Sequence, residues 1–266
     1  MLPSAMLRLG PLTIAGMTVL VTIVIAAGTA PLICPAGPLA RVALALQNPS
    51  PTLLAGSDDI GRSVACLTLF GLRTSLVIGI GSGALALVLG ISIGIVAGIV
   101  GGWTDLFLMR LTDVMLSIPR LFFAILAAAL FEPKLIGLVL VLGVTSWGIL
   151  ARIARAEAMA LAAREFIMAA RALGLTTPQL IVRHVLPNII PPLLATGGSI
   201  VAGAILAEAA LAYVGLGDAT AVSLGRSIAN AYPFMELAWW MSAAPIAALV
   251  LVTLAFMLLF EATDDR

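Results

Sequence analysis

The sequence predicts an all-α integral membrane protein with about six transmembrane helices. Three observations carry this. Of the 266 residues, 62% are hydrophobic and 10% are charged, against ~45–50% apolar and ~25% charged in ordinary soluble domains. Six apolar runs each approach the ~20 residues that a helix needs to cross a bilayer. They cover roughly 11–33, 74–100, 112–131, 135–152, 190–214 and 239–260. None of the runs shows the apolar–polar alternation of a membrane barrel strand, so helices are the spanning elements. The chain divides into 1–73 (first span and external loop), a core transmembrane domain at 74–260 that includes the loop 151–189, and a tail at 261–266.

The first run follows Arg8. It exceeds the ~7–15 residues of a secretory h-region. Pro31 stands directly after Gly28-Thr29-Ala30, the only cleavage-like triplet, so the span is expected to stay uncleaved. Residues 34–73 follow, with Pro35, Pro38, Pro49, Pro51 and the charged patch Asp58-Asp59-Ile60-Gly61-Arg62. Arg62 with the two aspartates either orders this loop or its contact with a partner, or forms a solvated patch. The second run carries Gly79 and Gly83, then Gly90, Gly94 and Gly98, each four residues apart. Such spacing lets another backbone approach one helix face. That backbone belongs either to this chain or to a second subunit.

The third run begins near Asp113 and Arg120, seven residues or about two turns apart. They either interact along one face or both reach the cytoplasmic interface, where Arg can snorkel. Glu208 lies deeper, in the fifth run. A charge there is costly in lipid, so Glu208 is expected to face a pathway or to serve as a structural hydrogen-bond acceptor. Residues 215–238 hold Asp218, Arg226, Tyr232, Pro233 and Glu236 before the last run.

Orientation follows from Lys and Arg near the span ends. With the amino terminus inside, Arg8, Arg110, Arg120, Arg152, Arg155, Arg164, Arg171, Arg183 and Arg266 fall inside. Arg41, Arg62, Arg73, Lys134 and Arg226 fall outside, a ratio of nine to five. The main contributor is the loop 151–189.

This loop is read as a helix, a sharp turn and a short helix. Its first half is Ala-rich and strongly helix-forming. Gly174 suits the left-handed position that ends a helix. Thr177 reads as an N-cap, with Pro178 at the first helical position. The short helix runs through Gln179 to about Leu186, where Pro187 interrupts it, and Pro191-Pro192 open the next span. A surface-lying amphipathic helix is the plainer alternative.

The loop resembles the EAA motif of binding-protein-dependent ABC importer permeases. Ala169 and Ala170 supply its alanines, Gly174 its glycine, and Leu186-Pro187 its Leu-Pro, with the Gly-to-Pro interval of thirteen preserved. Met168 and His184 depart from its Glu and Ile. The stretches REFIMAARALG and RHVLPN are similar to the dipeptide and oligopeptide branch, C-type subunit. So are residues 56–76, with Ser63 in place of an Asp, residues 111–119 and the EAALAYVGLG of 208–217. The likeness weakens around 219–225 and at the carboxyl end.

The resemblance implies a type I ABC importer permease architecture in a prokaryotic inner membrane. Ala169, Ala170, Arg171, Gly174, Thr177, Pro178, Gln179, Leu186 and Pro187 would couple to a separate ATPase. It implies a second, B-type permease, one or two ATPase subunits and an extracytoplasmic binding protein as partners. ATP and Mg would sit on the ATPase, and this chain would carry no cofactor. Asp113, Arg120 and Glu208 are its candidate pathway residues, and Asp58, Asp59 and Arg62 its external-loop candidates. The competing reading is a self-contained secondary transporter or channel, which needs no such cytoplasmic corner.

Other classes are excluded more simply. Net charge is +1 and offers no case for nucleic acid. No G-x-x-x-x-G-K-[ST] occurs, so no P-loop nucleotide site is expected, and no catalytic constellation is present. His184 has no ligand cluster around it, so no metal site is expected. Cys34 and Cys66 are the two cysteines. A disulfide between them is open, with two free thiols as the default expectation.

Overall fold

The computed structural model describes residues 11–130 and 134–261. Arg8, Arg266 and most of the tail lie outside the described residues. Helices α1 (Pro11–Ile33), α2 (Val64–Val100), α9 (Leu186–Tyr213) and α11 (Trp240–Glu261) dominate the fold. Between them lie α3 (Gly102–Ser117), α4 (Arg120–Leu130), α5 (Leu135–Val144), α6 (Trp147–Ala162), α7 (Glu165–Ala172) and α8 (Thr177–Leu180), with α10 (Leu224–Ala231) before α11. Four helical stretches are long and apolar enough to cross a membrane, and six if each of two bent pairs counts as one span.

The bends explain where the sequence reading was too simple. The third span is broken, α3 and α4 meeting at 78°. Ile118 is extended, as the residue before Pro119 must be. The fourth span bends by 41° between α5 and α6 at Thr145-Ser146. The second span starts ten residues earlier than apolarity alone suggests. Ser63 caps α2 by accepting from the Cys66 N–H (3.4 Å). Asp and Ser are equivalent N-caps, which accounts for the Ser at this place. At 37 residues α2 is about 55 Å long and outreaches a ~30 Å hydrocarbon core.

α2 is the central post, packed on α1, α5, α6, α9, α10 and α11. The glycines explain how. A Cβ on Gly79 or Gly83 would meet Ile205 or Val201 of α9 within 2.6 Å. On Gly90, Gly94 or Gly98 it would meet the backbone or Cβ atoms of α6 within 2.9 Å. These glycines therefore serve packing inside the chain. Without a hydrophobic driving force between helices in lipid, such close backbone approach supplies the van der Waals contact that holds the bundle.

Cys34, just past α1, and Cys66, in the first turn of α2, are joined in a disulfide. This overturns the expectation of two free thiols. They stand 32 positions apart in sequence, and helix ends that this distance separates become neighbours. The intervening loop is pinned to the bundle by the Trp240 indole, which donates to the Ser57 carbonyl (3.2 Å).

Candidate functional site: the 151–189 corner and the polar nodes of the bundle

α7 has Glu165 in its first turn and Arg171 in its last, both matched to the helix dipole. It stops at Leu173. The Gly174 N–H donates to the Arg171 carbonyl (3.0 Å) and the Leu175 N–H to the Ala170 carbonyl (3.2 Å). This pair of bonds is the Schellman pattern. Gly174 has φ +87°, and a Cβ there would find nothing within 4 Å. The position needs glycine for backbone conformation, not for space.

The following cap is shifted by one residue from the expectation. Thr176, not Thr177, is the N-cap of α8, in extended conformation. The Thr176 N–H donates to Gln179 Oε1 (3.0 Å), the third helical residue accepting from the N-cap as in a capping box. Thr177 and Pro178 open α8, where a missing N–H costs nothing.

A second correction concerns Pro187. It does not end the short helix. A π turn, Ile181–Val185, joins α8 to α9 without a break, and Pro191-Pro192 lie inside α9. The widened turn, with the Leu186 N–H donating to the Ile181 carbonyl, stands directly ahead of Pro187 and absorbs its bulk. The Asn188 side chain donates to the His184 carbonyl (2.6 Å). α8 is therefore the tip of a single rod running from Thr177 to Tyr213.

The corner is anchored from below. Ile167, Ala170, Leu180 and Val185 are buried in one apolar cluster with Leu150, Ala151, Ala154 and Ala158 of α6. Most of the residues expected to touch the ATPase remain accessible, but Ala170 is turned into the cluster with α6 and is not. Ala169, Arg171, Gly174, Thr177, Pro178, Gln179 and Pro187 are exposed, Leu186 is half-buried, and Ala170 alone is buried. The sequence reading missed the apolar groups beside them. Phe166, Met168, Leu173 and Val182 are exposed, Leu173 by 83%. The His184 ring lies edge-on to Phe166, which gives the His departure from the motif a packing role.

The pathway candidates separate. Asp113 and Arg120 do not pair, because the Ile118–Pro119 break turns α4 away from α3. Asp113 instead takes Arg152 of α6 (2.7 Å). Arg120 donates to the Gly203 carbonyl of α9 (2.9 Å) and to Ser146 Oγ (3.4 Å). A second α3–α6 pair, bidentate Arg155–Asp105 (2.5 and 2.6 Å), was not foreseen. The available signal was Arg152 and Arg155 at i, i+3 on one helix. Glu208 is 2% exposed and accepts from Ser223 (2.7 Å) and Ser75 (3.4 Å), knotting α9 to α10 and α2.

In the external loop, Asp58 is buried and accepts from Arg62 Nε (2.5 Å), the Arg62 N–H (2.7 Å) and the Ile60 N–H (3.1 Å). Asp58 and Arg62 thus order the loop, while Asp59 makes no hydrogen bond or ion pair among the described residues. Asp218 was noted in the sequence without a role. It caps α5 by accepting from the Leu135 N–H (2.9 Å), and also binds the Thr220 N–H and hydroxyl. Partial burial opposes its charge, but these hydrogen bonds outweigh that and hold its carboxyl below the ordinary 3.8.

Residues 90–266 match the family described as binding-protein-dependent transport system inner membrane component. The chain belongs to this family. It is a multi-pass membrane permease component of such a transport system. The dipeptide transport system permease protein DppC of Alkalihalophilus pseudofirmus is 31% identical, over 97% of this chain and 86% of that protein. The di/tripeptide transport system permease protein DppC of Pseudomonas aeruginosa is 32% identical, over 95% and 86%. Among solved structures, an inward-facing form of the MetNI methionine ABC transporter aligns with a TM-score of 0.57 at 20% identity. It covers 71% of this chain and 91% of that one, a likeness of fold. The fold is thus that of a type I ABC importer permease.

Proposed function

We propose that this chain forms half of the translocation pathway of an ATP-driven importer for di- or oligopeptides. Its amino terminus faces the cytoplasm of a prokaryotic cell and its disulfide faces the outside. A second permease completes the pathway, an extracytoplasmic binding protein delivers the peptide, and separate ATPase subunits bind ATP and Mg. This chain carries no catalytic group.

One observation carries the reading. α8 is set off from α7 by a left-handed glycine and is continuous with the 37-residue rod that reaches Tyr213. A push on α8 is therefore delivered to a membrane span and not dissipated in a loop. The exposed Phe166, Met168, Leu173 and Val182 beside it offer an ATPase an apolar surface to grip. The peptide assignment follows the named relatives at about a third identity.

The test is affinity purification from the native membrane, followed by uptake in proteoliposomes. Recovery with an ATPase and a second permease, and peptide uptake that requires ATP, is the expected result. Recovery without ATPase partners would sink the reading.

A further inference from the structure

A cavity of about 250 Å³ lies on the face of the molecule that holds the disulfide. Its walls come from the 34–63 loop (Leu39, Asp58, Arg62), from Ser223 at the start of α10 and from Arg226 and Asn230 within α10. No role assigned above uses it.

The charge arrangement of the cavity is uneven. Asp58 is 3% exposed, and both of its oxygens are taken by Arg62 Nε and by main-chain N–H groups. Oδ1 takes two main-chain N–H groups and Oδ2 takes Arg62 Nε, so its charge is held against Arg62. Arg226 is spent on the carbonyls of Gly217, Asp218 and Ala219 (3.4, 3.0 and 3.0 Å), so it contributes charge but is held in place. Arg62 differs from both. Only its Nε is used, and its two terminal nitrogens have no hydrogen-bond partner among the described residues. Its side chain is 17% exposed and lines the cavity. Asn230 brings a further side-chain amide with no partner among the described residues.

We propose that this cavity binds a carboxylate, with the terminal nitrogens of Arg62 as the anchor and Asn230 as a second donor. A guanidinium with its Nε locked by Asp58 is pre-oriented. Its remaining edge offers two parallel N–H donors, the geometry that suits a carboxylate. The neighbouring Arg226 adds attraction, and Asp58 engages Arg62 through Nε. The importer reading bears only on where the carboxylate comes from. It is either the terminus of a small peptide or an acidic side chain of the binding protein.

The test uses the assembled complex with the full chain, in lipid nanodiscs. Alanyl-alanine, its carboxyl-terminal amide and the purified binding protein are titrated separately against wild type, Arg62→Gln and Asn230→Asp. Asn230 is exposed on α10, so Asn230→Asp places a negative charge on the rim without disturbing a buried contact. Binding of one carboxylate probe is expected to weaken about tenfold in both variants and to fall with added salt, as for a charge-assisted bond. Loss confined to alanyl-alanine, with the amide already weak, assigns a small-ligand carboxylate. Loss confined to the binding protein assigns its side chain. No binding of either probe to wild type, or unchanged affinities in Asn230→Asp, overturns the site. ATP-dependent uptake by wild type reports separately on the permease reading. Its presence alongside unaltered variants rejects the cavity alone.

Discussion

Gly174 and Asp218 show how single residues set this structure. At φ +87° with empty space around it, Gly174 is under a purely conformational demand. Gly174→Val adds strain of about 1–2 kcal/mol at the corner. Replacement is expected to abolish ATP-coupled uptake in the assembled complex while the spans remain folded. Uptake at the wild-type rate would refute the coupling role. Asp218 leads to a pH prediction. Its folded pKa lies below its ordinary 3.8, so its contribution to stability is present above that value. It is lost as pH falls through the lower, folded value. In thermal melts at about pH 5 and about pH 3, wild type should lose more stability on acidification than Asp218→Asn. Equal losses would remove Asp218 from the account.

At the level of elements, α2 is defined by what its glycines allow. A Cβ on Gly94 would come within 2.5 Å of the Ala151 carbonyl and of Ala154 Cβ. Backbone cannot yield as a flexible side chain can. Gly94→Leu should therefore separate α2 from α6 at a cost of about 1–3 kcal/mol. Gly137, in α5, has nothing within 4 Å of a Cβ, and Gly137→Ala should be neutral or slightly stabilising. The pair is compared by melting temperature in detergent. If the two variants melt alike, the glycine seam is not what joins α2 to α6. The polar links between α3 and α6, Asp113–Arg152 and Asp105–Arg155, belong to the same scale. They tie a broken span to the helix that supports the corner.

For the whole molecule, the disulfide closes the loop between the first two long helices. Cys34 and Cys66 are 32 residues apart, and a cross-link over such a span commonly contributes about 2–4 kcal/mol. Reduction, or the Cys34→Ser/Cys66→Ser double variant, should lower thermal stability and loosen the 34–63 loop toward protease. The same bond reports on topology, since disulfides persist on the oxidising side of a membrane. After mild reduction, an impermeant thiol reagent should label both cysteines from outside the cell. Labelling only from the cytoplasmic side would reverse the orientation proposed for the chain.

The sequence by itself determined that this is a helical membrane protein. Apolar runs of spanning length have no other stable form in lipid, because every backbone group must bond within its own segment. It also located the corner, since Gly174, Pro178 and Gln179 act through local backbone rules that need no distant partner. It misplaced the cap by one residue, as adjacent threonines are chemically alike and only the chain's path selects Thr176. Pro187 looked like a stop because local rules do not foresee a π turn. Tertiary structure alone decided the rest. It turned α3 from α4, so that Asp113 and Arg120 met separate partners, and it chose α6 and α9 as what the α2 glycines face. It joined Cys34 to Cys66 and set Arg62 and Asn230 on the walls of one cavity. Each of these depends on which distant segments touch, and residue spacing along one helix carries no information about what lies against it.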